Sequence, residues 1–320
     1  MNKTTVVIPN YNGIDFIEKC LTSVEKSTVP LNITVVDNGS SDGSKELVKD
    51  KFPNVKLIEL SENTGFCHAV NVGIENSDTP YVYLLNNDTV IEENAVEILE
   101  NDMDTLPGAF SIQSKMVKMQ DASVIDSAGD LYCAFGWAYA LGKDKPSSKY
   151  TGIHKVFSCC GGAALYRKKI LNEIGCFDEK HFAYLEDVDL GYRSNLHGYT
   201  NYTDSNSVIC HAGSAASGSR YNEFKVAHSS RNSIYLIYKN MPIVQVIVNL
   251  PFFLFGYIVK WLFFIKKGLG HTYIEGIRQG LALCGTDYAK EHKVKFVFKR
   301  IGRYIIIEIK LIGNIFRRLS

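Results

Sequence analysis

A handful of side chains have types and spacings that suit metal-ion, phosphate and acid–base chemistry. Asp88 closes the run Asn86-Asn87-Asp88 directly behind the apolar stretch Tyr81–Leu85. A hard divalent cation takes oxygen ligands and often rests on one or two carboxylates plus substrate phosphates. Asp88 also suits a helix cap before Glu92, or a turn. Glu186, Asp187 and Asp189 put three carboxylates in four residues, among Leu185, Val188 and Leu190. Partial burial and neighbouring negative charge both raise a carboxylate pKa, which makes a better general base. On a helix, 186 and 189 lie near one face and 187 points elsewhere, so their roles should differ. An acidic first turn favoured by the helix dipole is the ordinary alternative. His211, after Val208-Ile209-Cys210 and before the loose run 212–219, offers an imidazole to a metal or phosphate, or serves structure alone. Arg231, on a helix running into Tyr235 and Tyr238, suits a diphosphate or an ordinary ion pair.

The elements that must carry these groups follow from hydrophobic patterning. Val6-Val7-Ile8, Ile33–Val36, Val55–Leu60 and Tyr81–Leu85 read as strands, with helices near 15–26, 43–51 and 66–77 between them. Such alternation predicts a parallel sheet with helices on both sides, and ligands bind beyond the carboxyl ends of its strands. Those ends carry Asn10-Tyr11-Asn12, Asp37-Asn38, Asn63-Thr64-Gly65 and Asn86-Asn87-Asp88. Asp37 could accept hydrogen bonds from a nucleoside, or form an Asx-turn with Gly39. Residues 100–155 look less regular, with Gly136-Trp137 and 143–149 suggesting a mobile loop.

The chain has 320 residues, 46% hydrophobic and 22% charged, which excludes a disordered or collagen-like protein. Its net charge of +1 hides an asymmetry. Residues 1–240 hold 22 Lys/Arg against 30 Asp/Glu, whereas 241–320 hold 13 against 4. An acidic body with a basic, apolar tail predicts docking on anionic lipid; no signature of nucleic-acid binding accompanies it. The eight cysteines form no CxxC pair, as in a reducing compartment. The first residues lack the apolar core of a secretory signal, so a cytoplasmic catalytic part is expected.

Taken together, these motifs resemble family 2 glycosyltransferases with the GT-A fold, most closely the bacterial rhamnosyltransferase-like branch. The carriers are Val6–Gly13, Val35–Gly43, Asn63–Phe66, Leu84–Asp88, Gly175–Glu179, Tyr184–Leu190 and His211, within residues 4–240. The resemblance implies a Rossmann-like, mostly parallel α/β sheet flanked by helices as catalytic domain 1–240. It implies an inverting transfer from a nucleotide-sugar donor, dTDP-rhamnose favoured, to a glycan or polyprenol-linked acceptor in surface polysaccharide synthesis. A UDP-hexose or UDP-N-acetylhexosamine donor, or a non-catalytic binding relative, is the alternative. Pro9, Tyr11, Asn12, Asp37, Asn63 and Asn87 would line the nucleotide site, and Asp88 with His211 would hold Mg²⁺ or Mn²⁺. Asp187 would be the base beside Glu186, with Asp189 and Arg231 serving acceptor or diphosphate. Asn86-Asn87 stand where the fullest form of the family's metal motif has a further carboxylate.

The tail 241–320 reads as hydrophobic and basic helices. Residues 241–259 carry no charge and are long enough to span a bilayer, but Asn249 and Pro251 interrupt them. A single span would also export a basic segment, against the positive-inside tendency. Val294, Phe298, Ile301, Ile305, Ile309, Ile312 and Phe316 recur at helical spacing, accompanied by Lys295, Lys299, Arg303, Lys310 and Arg317. That pattern predicts an interfacial helix, placing the protein peripherally on the inner face of the cell membrane. A tail packed on the catalytic domain or in a homodimer would produce the same stripe.

Overall fold

The computed structural model describes residues 2–213 and 221–319, so most of the loose run after His211, residues 214–219, lies outside the described residues. The first half alternates β1 (Thr4–Asn10), α1 (Ile17–Glu25), β2 (Leu31–Asn38), α2 (Ser44–Lys51), β3 (Lys56–Leu60), α3 (Phe66–Glu75) and β4 (Tyr81–Leu85). Strand alternation sends Val6, Ile8, Tyr83 and Leu85 into one core, with Val7, Val82 and Leu84 in a second on the opposite face. β4 is buried at all five positions, as a central strand covered on both faces must be. α1 buries Ile17, Cys20, Leu21 and Val24, a stripe at helical spacing.

Then come β5 (Thr89–Ile91), α4 (Ala95–Thr105), β6 (Ala109–Lys118), β7 (Asp121–Ser127), β8 (Asp130–Cys133), β9 (Trp137–Ala140), β10 (Ile153–Val156), β11 (Ala163–Arg167), α5 (Lys168–Ile174), α6 (Glu186–His197) and β12 (Thr200–His211). The main sheet runs β10-β12-β6-β11-β4-β1-β2-β3. β1, β2, β3 and β4 are parallel, and β11 inserts antiparallel between β4 and β6. Residues 100–155 are thus more ordered than their sequence suggests. β8, β9 and β10 are only four residues long, too short for local periodicity to announce them.

The chain ends in α7 (Glu223–Asn240), α8 (Ile243–Lys266), α9 (Gly270–Cys284), α10 (Asp287–Glu291) and α11 (Ile301–Leu319). A third core joins Leu131, Tyr132, Phe157 and Tyr192 to Phe253 of α8 and to Tyr304, Ile307, Leu311 and Ile315 of α11. Gln245 and Asn249 of α8 donate to the Glu308 carboxylate of α11 at 2.8–2.9 Å, which fixes the two helices side by side.

Candidate active site

The polar ends of β1, β2 and β4 meet around Asn10. Its Nδ2 donates to Asp37 Oδ2 at 3.0 Å and Ser44 Oγ at 2.9 Å, and its Oδ1 accepts from Asn87 Nδ2 at 2.7 Å. A Cβ on Gly13 would collide with both asparagines, so this close approach requires glycine. Asp37 Oδ1 accepts from Ser40 N–H at 2.9 Å, the Asx-type turn expected of it. Asn12 sits at φ 49° and bonds through its N–H and Oδ1 to Ser40 and Ser41. Asn63 Oδ1 accepts from Asn38 Nδ2 and from Gly65 N–H. Pro9 is the last residue but one of β1, and Tyr11, half exposed, follows the strand. Asn10 and Asn38 are the hubs of this floor.

Asp88 does not cap a helix: β5 follows it, and Asn94 precedes the first turn of α4. Its Oδ1 lies 3.3 Å from His211 Nε2, brought there by antiparallel pairing of β5 with the end of β12. His211 Nδ1 meets Asp126 Oδ2 at 2.8 Å, and Asp126 is paired with Lys143 at 2.7 Å. Burial disfavours the charged imidazole, yet hydrogen bonds to Asp126 and Asp88 raise its pKa to about 9. Burial likewise opposes ionisation of Asp126, but His211 and Lys143 outweigh it and hold this carboxyl well below its usual range. A divalent cation would displace the imidazole proton here: one carboxylate oxygen and one imidazole nitrogen converge, and an outer carboxylate orients the ring.

α6 opens with Glu186, Asp187 and Asp189, as an acidic first turn should. Asp187 is half-buried, and its Oδ2 accepts from Gly161 N–H at 3.2 Å. Oxygens of Asp187 and Asp130 and the Cys160 sulfur lie within 4.8 Å of one another. Burial raises the Asp187 pKa, with the Gly161 N–H working against it. Asp130 is pushed up by burial and then by the charge of Asp187, and Glu186 by the same two causes. One oxygen of Glu186 is buried without a partner.

Two structural links connect the Asp88 and Asp187 sides. The Asn86 N–H donates to Gly162 O at 3.0 Å, next to the Gly161 that meets Asp187. The segment Asp126–Asp130 supplies both the carboxylate behind His211 and the one beside Asp187. Neither Asp126 nor Asp130 carries a local signal, because the groups they meet, His211 and Asp187, lie far along the chain.

One expected site residue, Asp189, is corrected. Asp189 is fully buried, bonded to Arg193 at 2.9–3.0 Å, Lys239 at 3.0 Å and Asn240 at 2.7 Å. Burial alone would raise it, but the two cations hold it far below its usual range. It anchors α6 and cannot reach an acceptor or diphosphate. Arg231 Nη2 donates to the carbonyls of Lys180 and His181 at 2.9 and 2.8 Å, and its Nε to Asn232 Oδ1 at 2.9 Å. These bonds engage Nη2 and Nε in holding the loop before α6.

Comparison with known proteins follows the same lines. The family described as Glycosyl transferase family 2 matches residues 5–175. The N-acetylglucosaminyl-diphospho-decaprenol L-rhamnosyltransferase of Mycobacterium tuberculosis is 26% identical over 260 residues, covering 72% of this chain and 83% of that protein. Staphylococcus aureus TarS 1-349 in complex with UDP-GlcNAc superposes with a TM-score of 0.59 at 17% identity, over 98% of this chain and 89% of that one. The mannosyltransferase PcManGT from Pyrobaculum calidifontis, in complex with GDP-Man and Mn²⁺, superposes at 0.56 and 15% identity, over 97% and 86%. At these identities the superpositions establish the fold, which is GT-A.

Proposed function

The chain belongs to glycosyltransferase family 2, and from that premise we propose an inverting transfer of a sugar from a nucleotide-sugar donor to a hydroxyl acceptor in surface polysaccharide synthesis. dTDP-rhamnose is the favoured donor, ahead of a UDP-hexose or UDP-N-acetylhexosamine, because the mycobacterial relative is a rhamnosyltransferase. The observation that carries the reading is the double bridge, through Asn86–Gly162 and through Asp126–Asp130, between the Asp88–His211 pair and Asp187. Asp187, with its raised pKa, takes the acceptor's proton as that oxygen attacks the anomeric carbon opposite the diphosphate. Asn10, Asp37 and Asn63 form the floor under the nucleotide. Asp88 and His211 would hold Mg²⁺ or Mn²⁺, which supplies stabilisation of charge on the leaving diphosphate. Burial sustains the basicity of Asp187, and its charge in turn pushes Glu186 and Asp130 up. Release of nucleoside diphosphate, assayed across dTDP, UDP and GDP sugars with acceptor present, tests the reaction and the donor. No release from any donor would favour a non-catalytic relative.

Asp126 acts behind the imidazole. Asp126→Asn should weaken Mn²⁺ binding about 10- to 100-fold by calorimetry while leaving the fold intact. Unchanged affinity would remove the metal from His211.

The C-terminal helices support attachment to a membrane surface. α8 is long and apolar enough to cross a bilayer, by length and composition. Its buried residues Gln245, Asn249, Phe253, Gly256 and Phe264 run along its length, and Trp137 Nε1 donates to Gly256 O at 3.1 Å. A helix held to the protein along one side weighs against a transmembrane span. Its other side exposes Ile243, Val244, Ile247, Leu254, Phe255 and Leu262. α11 has two apolar faces: Tyr304, Ile307, Leu311 and Ile315 pack inward, while Ile301, Ile305, Ile309, Ile312 and Phe316 face solvent. The tail carries 13 Lys/Arg against 4 Asp/Glu, which complements anionic headgroups and would bring the site to a polyprenol-linked acceptor. The protein should sediment with phosphatidylglycerol vesicles and bind phosphatidylcholine vesicles less. Ile305→Glu/Ile309→Glu should abolish sedimentation, and equal sedimentation of this variant would defeat the surface reading.

A further inference from the structure

We propose that Asn232 is a positioning residue for the Asp187 base, clamping the strained segment Phe182–Leu185 in the conformation that delivers Asp187 to the site. The inference rests on the assignment of Asp187 above and adds a positioning residue to it. Three residues of this segment, none of them glycine, have left-handed backbones: Phe182 at φ 62°, Tyr184 at 71° and Leu185 at 68°. Each such residue costs about 1–3 kcal/mol, and survives only where its surroundings over-determine it. Leu185 is the last residue before Glu186-Asp187, and its carbonyl accepts the Asp189 N–H as α6 begins.

The surroundings that impose this path come from α7. Asn232 is fully buried, and its Nδ2 lies 2.8 Å from His181 O, 2.9 Å from Ala183 O and 2.7 Å from Tyr184 O. Its two amide protons thus serve three carbonyls of the same turn. Arg231 Nε donates to Asn232 Oδ1, which fixes the amide so that nitrogen faces the loop. From the other side, Cys67 N–H donates to Phe182 O at 3.2 Å, and a Cβ on Gly65 would strike the Phe182 ring. The loop is therefore pinned between the Asn63–Gly65 turn and α7.

The body of α6 is anchored separately, through Asp189 to Lys239, Arg193 and Asn240. Loss of the Asn232 amide should let residues 182–185 relax toward right-handed backbone while α6 stays in place. The damage would fall on Asp187 placement more than on folding, and small misplacements of a reacting group are costly.

The test is a double-mutant cycle between Asn232→Ala and Leu185→Gly in the full-length protein, read as kcat, donor KM and Tm. Glycine accepts φ near 68° without a clamp, so it should substitute for the missing amide. Asn232→Ala should lower kcat about 10- to 100-fold with donor KM little changed. In the Leu185→Gly background the same substitution should cost about threefold or less. An unchanged kcat in Asn232→Ala, or an equal loss in both backgrounds, would overturn the proposal. Should Asn232→Ala not fold, Asn232→Ser, which keeps one hydroxyl donor, is read in the same cycle. Asp187→Asn separates the two claims: full activity there sinks the base assignment, whereas a dead Asp187→Asn with a fully active Asn232→Ala sinks the clamp alone.

Discussion

Asp187→Asn is expected to lower turnover by about 10²- to 10⁴-fold while donor binding stays within a few-fold of the parent. The amide is isosteric and still accepts from Gly161 N–H, so the geometry at the start of α6 persists. What disappears is the only property the reaction asks of this side chain, the ability to take a proton. The same change should raise Tm at neutral pH. Burial raises the Asp187 pKa in the folded protein, and its charge pushes Glu186 and Asp130 up as well. A carboxyl with a raised folded pKa destabilises the fold as pH climbs from its unfolded value through the folded one. Removing it relieves that cost above this window and changes little below it. A variant that is inactive but more heat-resistant would separate catalysis from stability. Unimpaired turnover would exclude Asp187 as the base.

Lys239→Met should give the largest loss of stability. Lys239 Nζ lies 2.7 Å from Asp178 and 3.0 Å from Asp189, and all three side chains are buried. Asp178 also accepts from Tyr235 and Tyr288 hydroxyls, so this one cation ties α6, α7, α10 and the turn before α6 together. Removing one partner of a buried pair leaves uncompensated charge and costs about 3–5 kcal/mol. For a chain of this size that is a fall in Tm on the order of 10 °C. Burial opposes ionisation of Asp178 and Asp189, but Lys239 lowers both. Their stabilising contribution is present above the unfolded carboxylate pKa and lost as pH falls through the folded one. The gap between parent and variant should therefore narrow in acid. Equal melting at neutral pH would mean that Arg193 and the tyrosines suffice.

How much was legible in the sequence depends on how local each signal was. The four strands up to Tyr81–Leu85 and the helices between them announce themselves by period, and the polar clusters follow at their ends. Asp88 and His211 stand 123 residues apart, yet the structure puts them 3.3 Å apart, since β5 pairs with β12. Asp126 and Asp130 escaped notice because nothing within a few residues distinguishes them from turn carboxylates. Asp189 resembles its neighbours 186 and 187 in sequence, and only Lys239 and Arg193, distant or helically offset, set it apart. Arg231 has the chemistry for a diphosphate, and its second task, holding the turn before α6 through Nη2, is set by residues some fifty positions away. The apolar stripe of the last helix was visible as a stripe. That it faces outward, while a second stripe packs inward, required the helix to be docked.

The most direct test of the central claim, one cleft shared by a cation at Asp88 and a base at Asp187, is anomalous diffraction from crystals grown with Mn²⁺ and dTDP. A manganese peak is expected between the Asp88 carboxylate and His211 Nε2, with Asp187 free and facing the diphosphate across the cleft. A peak held by Asp130, Cys160 and Asp187 would contradict it, since a carboxylate bound to metal there could not serve as the base.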